Sequence, residues 1–112
     1  MVDSGNSVTS SDVNLSNGYA STCGGAIENE GTLDLMYGVL SGNHSGEYGG
    51  GIYNDDEFVR LSQSAVMFNH ASSGGGGIYN YGPGTVGLFA TNISFNTPDN
   101  CEPGGSVSGC SG

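Results

Sequence analysis

The sequence contains no lysine, a single arginine and no tryptophan among its 112 residues. Because Arg60 is the only strong base in a chain of net charge −10, the counter-charge that nucleic acid and anionic lipid require is missing. No stretch approaches the roughly 18 consecutive apolar residues of a membrane-spanning helix, and residues 1–5 lack the basic and apolar segments of a signal peptide. We therefore expect neither nucleic acid as a partner nor insertion into a membrane.

Helical periodicity is also missing. No long window places apolar residues at the i, i+3, i+4, i+7 spacing of an amphipathic helix. The 22 glycines oppose helices as well, because each interior glycine costs a helix about 1 kcal/mol relative to alanine. Short apolar-x-apolar pieces, separated by Gly, Asn, Ser and Asp, follow the strand period instead. The sequence predicts an all-β protein.

What the chain does have is an internal repeat. Gly-Gly-Gly-Ile-Tyr-Asn at residues 49–54 returns at residues 75–80, and a diverged copy, Gly-Gly-Ala-Ile-Glu-Asn, occupies residues 24–29. A unit of about 26 residues cannot bury its own apolar side, whereas stacked units close a continuous narrow core. The repeat predicts a parallel β-helix (β-solenoid) with about 25–27 residues and three strands per coil, three full coils and partial end coils. Crossover chirality favours a right-handed winding.

The repeat divides the chain into three parts. Residues 1–22 are expected to form a degenerate first coil or a loose lead-in, in which Val8 and Leu15 align with Leu88 and Phe95 at a constant offset. Residues 23–96 hold the three coils. Residues 97–112 are predicted to form a loop with proline and cysteine, followed by a partial terminal coil in which Gly-Gly-Ser-Val at 104–107 restarts the strand.

Alternation along each strand predicts which side chains face inward. The predicted core columns contain Ile27, Ile52, Ile78, Leu35, Leu61 and Leu88. The same alternation places Phe68 and Phe95 in the interior.

On the outer face, alternation places Tyr53 and Tyr79 beside outward-facing Gly51 and Gly77. The two tyrosines are therefore the candidate contact strip, for lateral packing or for stacking of a glycan.

Two columns of asparagine recur in register with the repeat. We expect them to form structural ladders, each amide bonding to the next coil at a turn. The ladder residues are Asn29, Asn54 and Asn80 in one column and Asn43, Asn69 and Asn96 in the other. Asn14, Asn43 and Asn92 also lie in glycosylation sequons, but the ladder interpretation is preferred for Asn43.

Residues 24–27 spell Gly-Gly-Ala-Ile, and the second asparagine column follows an aliphatic residue at i−3, as in Leu40 to Asn43 and Val66 to Asn69. These motifs resemble the Gly-Gly-Ala-Ile and Phe-x-x-Asn motifs of the polymorphic outer membrane protein type of repeat, with an aliphatic residue in place of phenylalanine. That family occurs in bacterial surface proteins and autotransporter passengers. The resemblance covers about residues 23–107 and implies a right-handed β-helix scaffold with adhesive or structural uses.

The cysteines and histidines allow local alternatives. Cys101 and Cys110 are a candidate disulfide. Cys23 is then left over, either as an isolated buried cysteine or as a thiol that is free or bonded to another chain. His44 and His70 share a column, for which a solvated turn is favoured over a metal site. We expect no metal and no cofactor.

An enzyme is the rival function class, because β-helices also carry polysaccharide lyases and hydrolases. A lyase needs a free base, whereas Arg60 is expected to pair with Asp34. An inverting hydrolase needs two carboxyls about 6.5–9.5 Å apart in a groove, whereas the carboxylates at 55–57 occupy a turn of variable length. No catalytic site is therefore predicted. A polysaccharide-binding or polysaccharide-degrading β-helix fragment is the alternative.

The function expected from the sequence is structural or adhesive, in an extracellular or cell-surface setting. No capping helix is visible at either terminus, and uncapped solenoid ends expose strand edges. We therefore expect chains to stack end to end into a fibre, or to form part of a longer surface passenger. The chain itself is the first expected partner, and glycans or a host surface are further candidates.

Overall fold

The computed structural model describes residues 2–112, which form a parallel β-solenoid of about four turns. Every strand pair is parallel. The described residues contain no helix, and hence none able to cross a bilayer. The predicted all-β parallel solenoid is confirmed.

Each turn contributes one strand to each of up to four sheets. The first turn contains β1 (Ser7–Ser11), β2 (Asn14–Ser16) and β3 (Tyr19–Ala20). The second contains β4 (Ile27–Asn29), β5 (Thr32–Met36), β6 (Val39–Ser41) and β7 (His44–Ser45). The third contains β8 (Ile52–Asp55), β9 (Phe58–Ser62), β10 (Ala65–Met67) and β11 (His70–Ala71). The last contains β12 (Ile78–Tyr81), β13 (Thr85–Phe89) and β14 (Asn92–Ser94), followed by β15 (Cys101–Glu102).

The strands stack into four sheets, and not into the three that the sequence predicted. Sheet A contains β4, β8, β12 and β15, sheet B β1, β5, β9 and β13, and sheet C β2, β6, β10 and β14. Sheet D contains only β3, β7 and β11, and each of these strands is two residues long. The three-sided prediction was wrong because a two-residue strand is too short to show an apolar-x-apolar pattern.

The first turn pairs in a different register from the predicted one. Val8 pairs with Leu33 and so lies in the column of Val86, and Leu15 lies in the column of Ile93. The predicted alignment with Leu88 and Phe95 was therefore wrong by two residues. A slip of two leaves every side chain on the same face of the strand, so alternation alone cannot detect it.

A single apolar core runs along the axis. Its fully buried side chains, each at most 2% exposed, are Leu33, Leu40, Ile52, Val59, Leu61, Val66, Ile78 and Val107. Ile27 and Leu35 are also buried, and Leu88 packs against the cluster with partial burial. Since burying one such side chain contributes about 1.5–3 kcal/mol, the stacked columns supply most of the driving force for folding.

A left-handed backbone position recurs at the corner between sheets C and D. Asn17, Gly42, Phe68 and Phe95 have φ values of 60, 68, 59 and 58°. Such a residue interrupts the strand and turns its side chain outward, so Phe68 and Phe95 are 61% and 69% exposed and stack on one another with ring centroids 5.3 Å apart. Their predicted inward placement was wrong because alternation does not continue through this corner.

The glycine triplets form the corner before sheet A. Gly49 has a φ of 70°, a region that favours glycine. A side chain at Gly51 would point inward, because its Cβ would lie 3.0 Å from Cγ1 of Val66. Gly77 faces the interior in the same way, toward Asn96. The outward placement of Gly51 and Gly77 was therefore wrong, since the turn at the triplet breaks the alternation counted from the strand.

Candidate functional site

The first asparagine column is a hydrogen-bonded ladder inside the solenoid. Asn29 donates from Nδ2 to Oδ1 of Asn54 at 2.9 Å, and Asn54 donates to Oδ1 of Asn80 at 3.0 Å. All three side chains are at most 2% exposed. Each amide also donates to a carbonyl just beyond its own strand, those of Gly31, Glu57 and Gly84. The ladder therefore satisfies backbone groups at the turn, as buried polar groups require.

The second column does the same at the corner after sheet C. Asn43 donates from Nδ2 to Oδ1 of Asn69 at 2.9 Å, and Asn69 donates to Oδ1 of Asn96 at 3.0 Å. The column extends beyond the repeat at both ends, because the Gly18 amide donates to Oδ1 of Asn43 and Asn96 donates to Oδ1 of Asn100. Sequence reasoning missed these two positions because neither is an asparagine in register. Asn43 is 2% exposed, so its amide is not available as a glycan acceptor.

Four tyrosines cluster on the outer side of sheet A, and we call Tyr48, Tyr53, Tyr79 and Tyr81 the tyrosine face. The rings of Tyr53 and Tyr79 are parallel within 4°, with centroids 5.6 Å apart. Tyr48 leans over Tyr79 at 4.4 Å, and Tyr81 lies 6.3 Å from Tyr53. The predicted strip of two residues is therefore the centre of a larger aromatic surface. Tyr48 was missed because it precedes the repeated motif.

The register surrounds this face with carboxylates. Glu28 pairs with Tyr53 on one side of the stack, and Glu102 pairs with Tyr79 on the other. Burial raises the pKa of Glu28, and the neighbouring charges of Glu30 and Asp55 raise it further. Burial and Asp99 likewise raise the pKa of Glu102. Each of these two carboxylates therefore lies close to other negatively charged side chains.

The histidines form a separate column on the outer side of sheet D. The His44 and His70 rings lie 4.9 Å apart, Tyr19 stacks on His44 at 5.3 Å, and Nδ1 of His70 is 2.8 Å from the Thr97 hydroxyl. Across residues 2–112, His, Cys, Asp and Glu side chains nowhere gather in a group of three or more that would hold a metal ion.

The C-terminal end of the core is covered. Cys101 takes the position below Ile78 in sheet A and is joined to Cys110 by a disulfide bond, with Cα atoms 6.3 Å apart. The loop between them folds back over the core, so that Val107 is 2% exposed and Cys110 packs on the apolar cluster. The strand predicted at residues 104–107 was wrong, since Gly105 has a φ of 80° and the segment is a turn. The expectation of an uncapped C-terminal end was wrong for the same reason.

Within residues 2–112, no segment covers the N-terminal end of the core, which we call the open end. A cavity of about 250 Å³ enters the core there and is lined mainly by apolar side chains, among them Val8, Leu15 and Leu33. Val8 is 40% exposed. Strands β1, β2 and β3 are each the last strand of their sheet, and within residues 2–112 nothing pairs with their outer edges.

The remaining candidates are explained locally. Cys23 is unpaired and its thiol contacts the Glu47 carboxylate at 3.7 Å. Burial raises the pKa of the Cys23 thiol, and Glu47 raises it further, which favours the protonated thiol. Arg60 and Asp34 form the expected ion pair on the outer side of sheet B, at 2.5 Å.

No known family model, curated protein or solved structure matches this chain. The resemblance of residues 23–107 to a bacterial surface repeat therefore stays a proposal.

Proposed function

We propose that this protein is a structural and adhesive β-solenoid of an extracellular or cell-surface setting, built on the polymorphic outer membrane protein type of repeat, and that it associates through its open N-terminal end. The Cys101–Cys110 disulfide supports an oxidising compartment. The net charge of −10 without lysine suits a protein that stays soluble at a surface. The proposal assigns no catalytic residue.

The observation that carries the proposal is the difference between the two ends. A solenoid end that is left open exposes apolar core and a row of unpaired backbone groups, which act as a template for another strand. The apolar cavity beside Val8 and the free edges of β1, β2 and β3 supply both features. At the other end, Val107 and the disulfide loop cover the core.

The proposed occupant of the open end is the open end of a second copy. A fibre needs two open ends per chain. A chain with one open end can instead pair that end with the same end of a second copy, and the two copies are then related by a two-fold axis. With that axis perpendicular to the solenoid, facing edge strands run antiparallel and can exchange backbone hydrogen bonds.

The size of the end predicts a weak dimer. The Cα atoms extend over 28 × 26 × 24 Å, so the end face offers on the order of 500 Å² per chain. Two such faces bury about 1,000 Å², at the lower limit for a specific interface. The association should therefore depend on concentration and should not be permanent.

Sedimentation velocity from about 10 μM to about 1 mM tests this, since small interfaces dissociate in that range. We expect monomer to convert to dimer, and we expect Val8→Lys to abolish the dimer because a charge would enter the apolar edge. Phe95→Lys is the matched control: it replaces another exposed apolar residue (69% exposed) that lies outside the open end, and it should leave the dimer intact. A native chain that stays monomeric at the highest concentration, or a Val8→Lys variant that still dimerises, contradicts the proposal.

A further inference from the structure

The tyrosine face combines stacked aromatic rings with carboxylates. Along one column of sheet A the register reads Glu28, Tyr53, Tyr79 and Glu102, so that a carboxylate stands at each end of a tyrosine pair. Asp55 pairs with Tyr81 in the adjacent column.

No lysine or arginine neutralises this surface. The chain has no lysine, and its one arginine, Arg60, lies on the outer side of sheet B and is bonded to Asp34. Burial is the largest cause of the raised pKa values of Glu28 and Glu102, and repulsion from neighbouring carboxylates adds to it. A cation placed on this face would relieve that repulsion.

The ring geometry disfavours a neutral sugar as the ligand. A pyranose stacks on a free ring face, but the facing sides of Tyr53 and Tyr79 cover one another and Tyr48 covers the other side of Tyr79. A guanidinium fits better, because it can stack against the accessible rim of the rings while it donates two parallel hydrogen bonds to a carboxylate. The charge of the face complements such a group directly.

We propose that the tyrosine face binds a basic peptide segment that lies along the solenoid axis and places one arginine at Glu28 and a second at Glu102. The two glutamates are three coils apart, or about 14 Å. An extended peptide covers about 13 Å in four residues and returns its side chain to the same side. The preferred segment therefore has arginines at positions i and i+4. This site lies on the outer side of sheet A, whereas the open cavity lies in the core, so neither proposal rests on the other.

The test is an NMR or calorimetric titration of the full chain with a seven-residue Gly/Ser peptide that has arginine at its second and sixth positions. We expect a Kd of roughly 0.1–1 mM, as two partly exposed contacts would give. Citrulline in place of both arginines removes the charge but keeps the shape, and should abolish binding. Affinity should also fall as salt screens the charges.

Variants of the protein locate the site. Glu28→Gln and Glu102→Gln should each weaken binding of the peptide about threefold to tenfold. Tyr79→Leu should weaken it by a similar factor, whereas Tyr79→Phe keeps the aromatic ring and should leave the affinity unchanged. Asp12→Asn is the matched control. It removes the same charge from the corner between sheets B and C, where Asp12 has a left-handed φ of 58° that asparagine tolerates.

Three results would overturn the proposal. One is equal binding of the citrulline peptide, and another is a loss with Asp12→Asn as large as the loss with Glu28→Gln, which would mean attraction to net charge alone. The third is binding of a neutral oligosaccharide, such as a β-1,4-linked glucose tetramer, in the absence of any binding by the arginine peptide. Circular dichroism of each variant separates loss of binding from loss of fold.

Discussion

The two ends of the solenoid are built from the same repeat, but the core is covered at the C-terminal end and exposed at the N-terminal end. Ile78 is fully buried because Cys101 stacks below it and Val107 closes the end. Ile27, in the same column at the other end, is 8% exposed and borders the open cavity. A repeat alone therefore does not determine whether a coil is terminal. Whether a coil is terminal is determined by residues that depart from the repeat. At the C-terminal end these are the residues of a short disulfide loop.

The largest expected effect compares two matched truncations in one column. Ile78→Ala should lower the free energy of unfolding by about 3–5 kcal/mol, because a closed site cannot collapse around the missing atoms. Ile27→Ala should cost only about 1–2 kcal/mol, because its side chain lines a cavity that solvent already reaches. Urea unfolding followed by circular dichroism, at a concentration where the chain is monomeric, measures both. Equal losses would mean that the two ends are packed alike.

The next effect concerns the loop that closes the C-terminal end. Replacing Cys101 and Cys110 with serine should cost about 2–3 kcal/mol, as expected for a cross-link that closes a loop of this length. It should also uncover the core below Ile78 and speed hydrogen exchange in β12. Because the second end is then open, assemblies longer than a dimer should appear in sedimentation. Cys23→Ser is the control, since Cys23 is unpaired, and it should change neither property.

If the double serine variant is as stable as the native chain and remains no larger than a dimer, the disulfide bond is not what keeps the C-terminal end closed. In that case the closing role would fall to Val107 alone, which Val107→Asp would test with the disulfide intact.

The sequence was sufficient to predict the stacked columns and insufficient to predict where they are interrupted. Ile52 and Ile78 could be aligned because each coil must place like residues over like at a fixed spacing. Phe68 could not be placed, because one left-handed residue at a corner reverses the direction of a side chain and phenylalanine itself gives no sign of it. The signal lay in the same position of earlier turns, where Asn17 and Gly42 are residue types that favour this conformation.

The ends were the least predictable part for a related reason. Gly-Gly-Ser-Val at residues 104–107 has the pattern of a repeat strand, yet the bond from Cys101 to Cys110 holds it as a turn. Cys101 itself occupies the isoleucine column, although nothing in its local sequence resembles the repeat. A covalent link between distant atoms overrides local pattern, and pairing of cysteines cannot be obtained from periodicity. The tyrosine face was only half predicted, since Tyr48 joins it from outside the repeat.

The smallest expected effect is on the pH dependence of stability, and it arises from a carboxylate that each end carries on its outer face. Glu28 and Glu102 stand in one outward column at opposite ends, and the pKa of each is raised above the ordinary value of 4.5. A carboxyl whose pKa is raised by folding binds its proton more tightly in the folded state, so its contribution to stability is present below pH 4.5 and is lost as the pH rises through the folded pKa.

The native chain should therefore show a decline in its unfolding midpoint above pH 4.5, and the double variant Glu28→Gln/Glu102→Gln should lose part of that decline. At pH 7 the double variant should be slightly more stable than the native chain. The effect should be small because water screens both side chains. Asp12→Asn, on another side of the solenoid, should leave the decline unchanged, and a double variant whose pH curve runs parallel to the native one would contradict the argument. Loss of the decline in the double variant would mean that the two ends have different cores but the same kind of acidic outer face. The reason is that the strand register, which places Glu28 and Glu102 in one column, continues beyond the point where the disulfide loop closes the core.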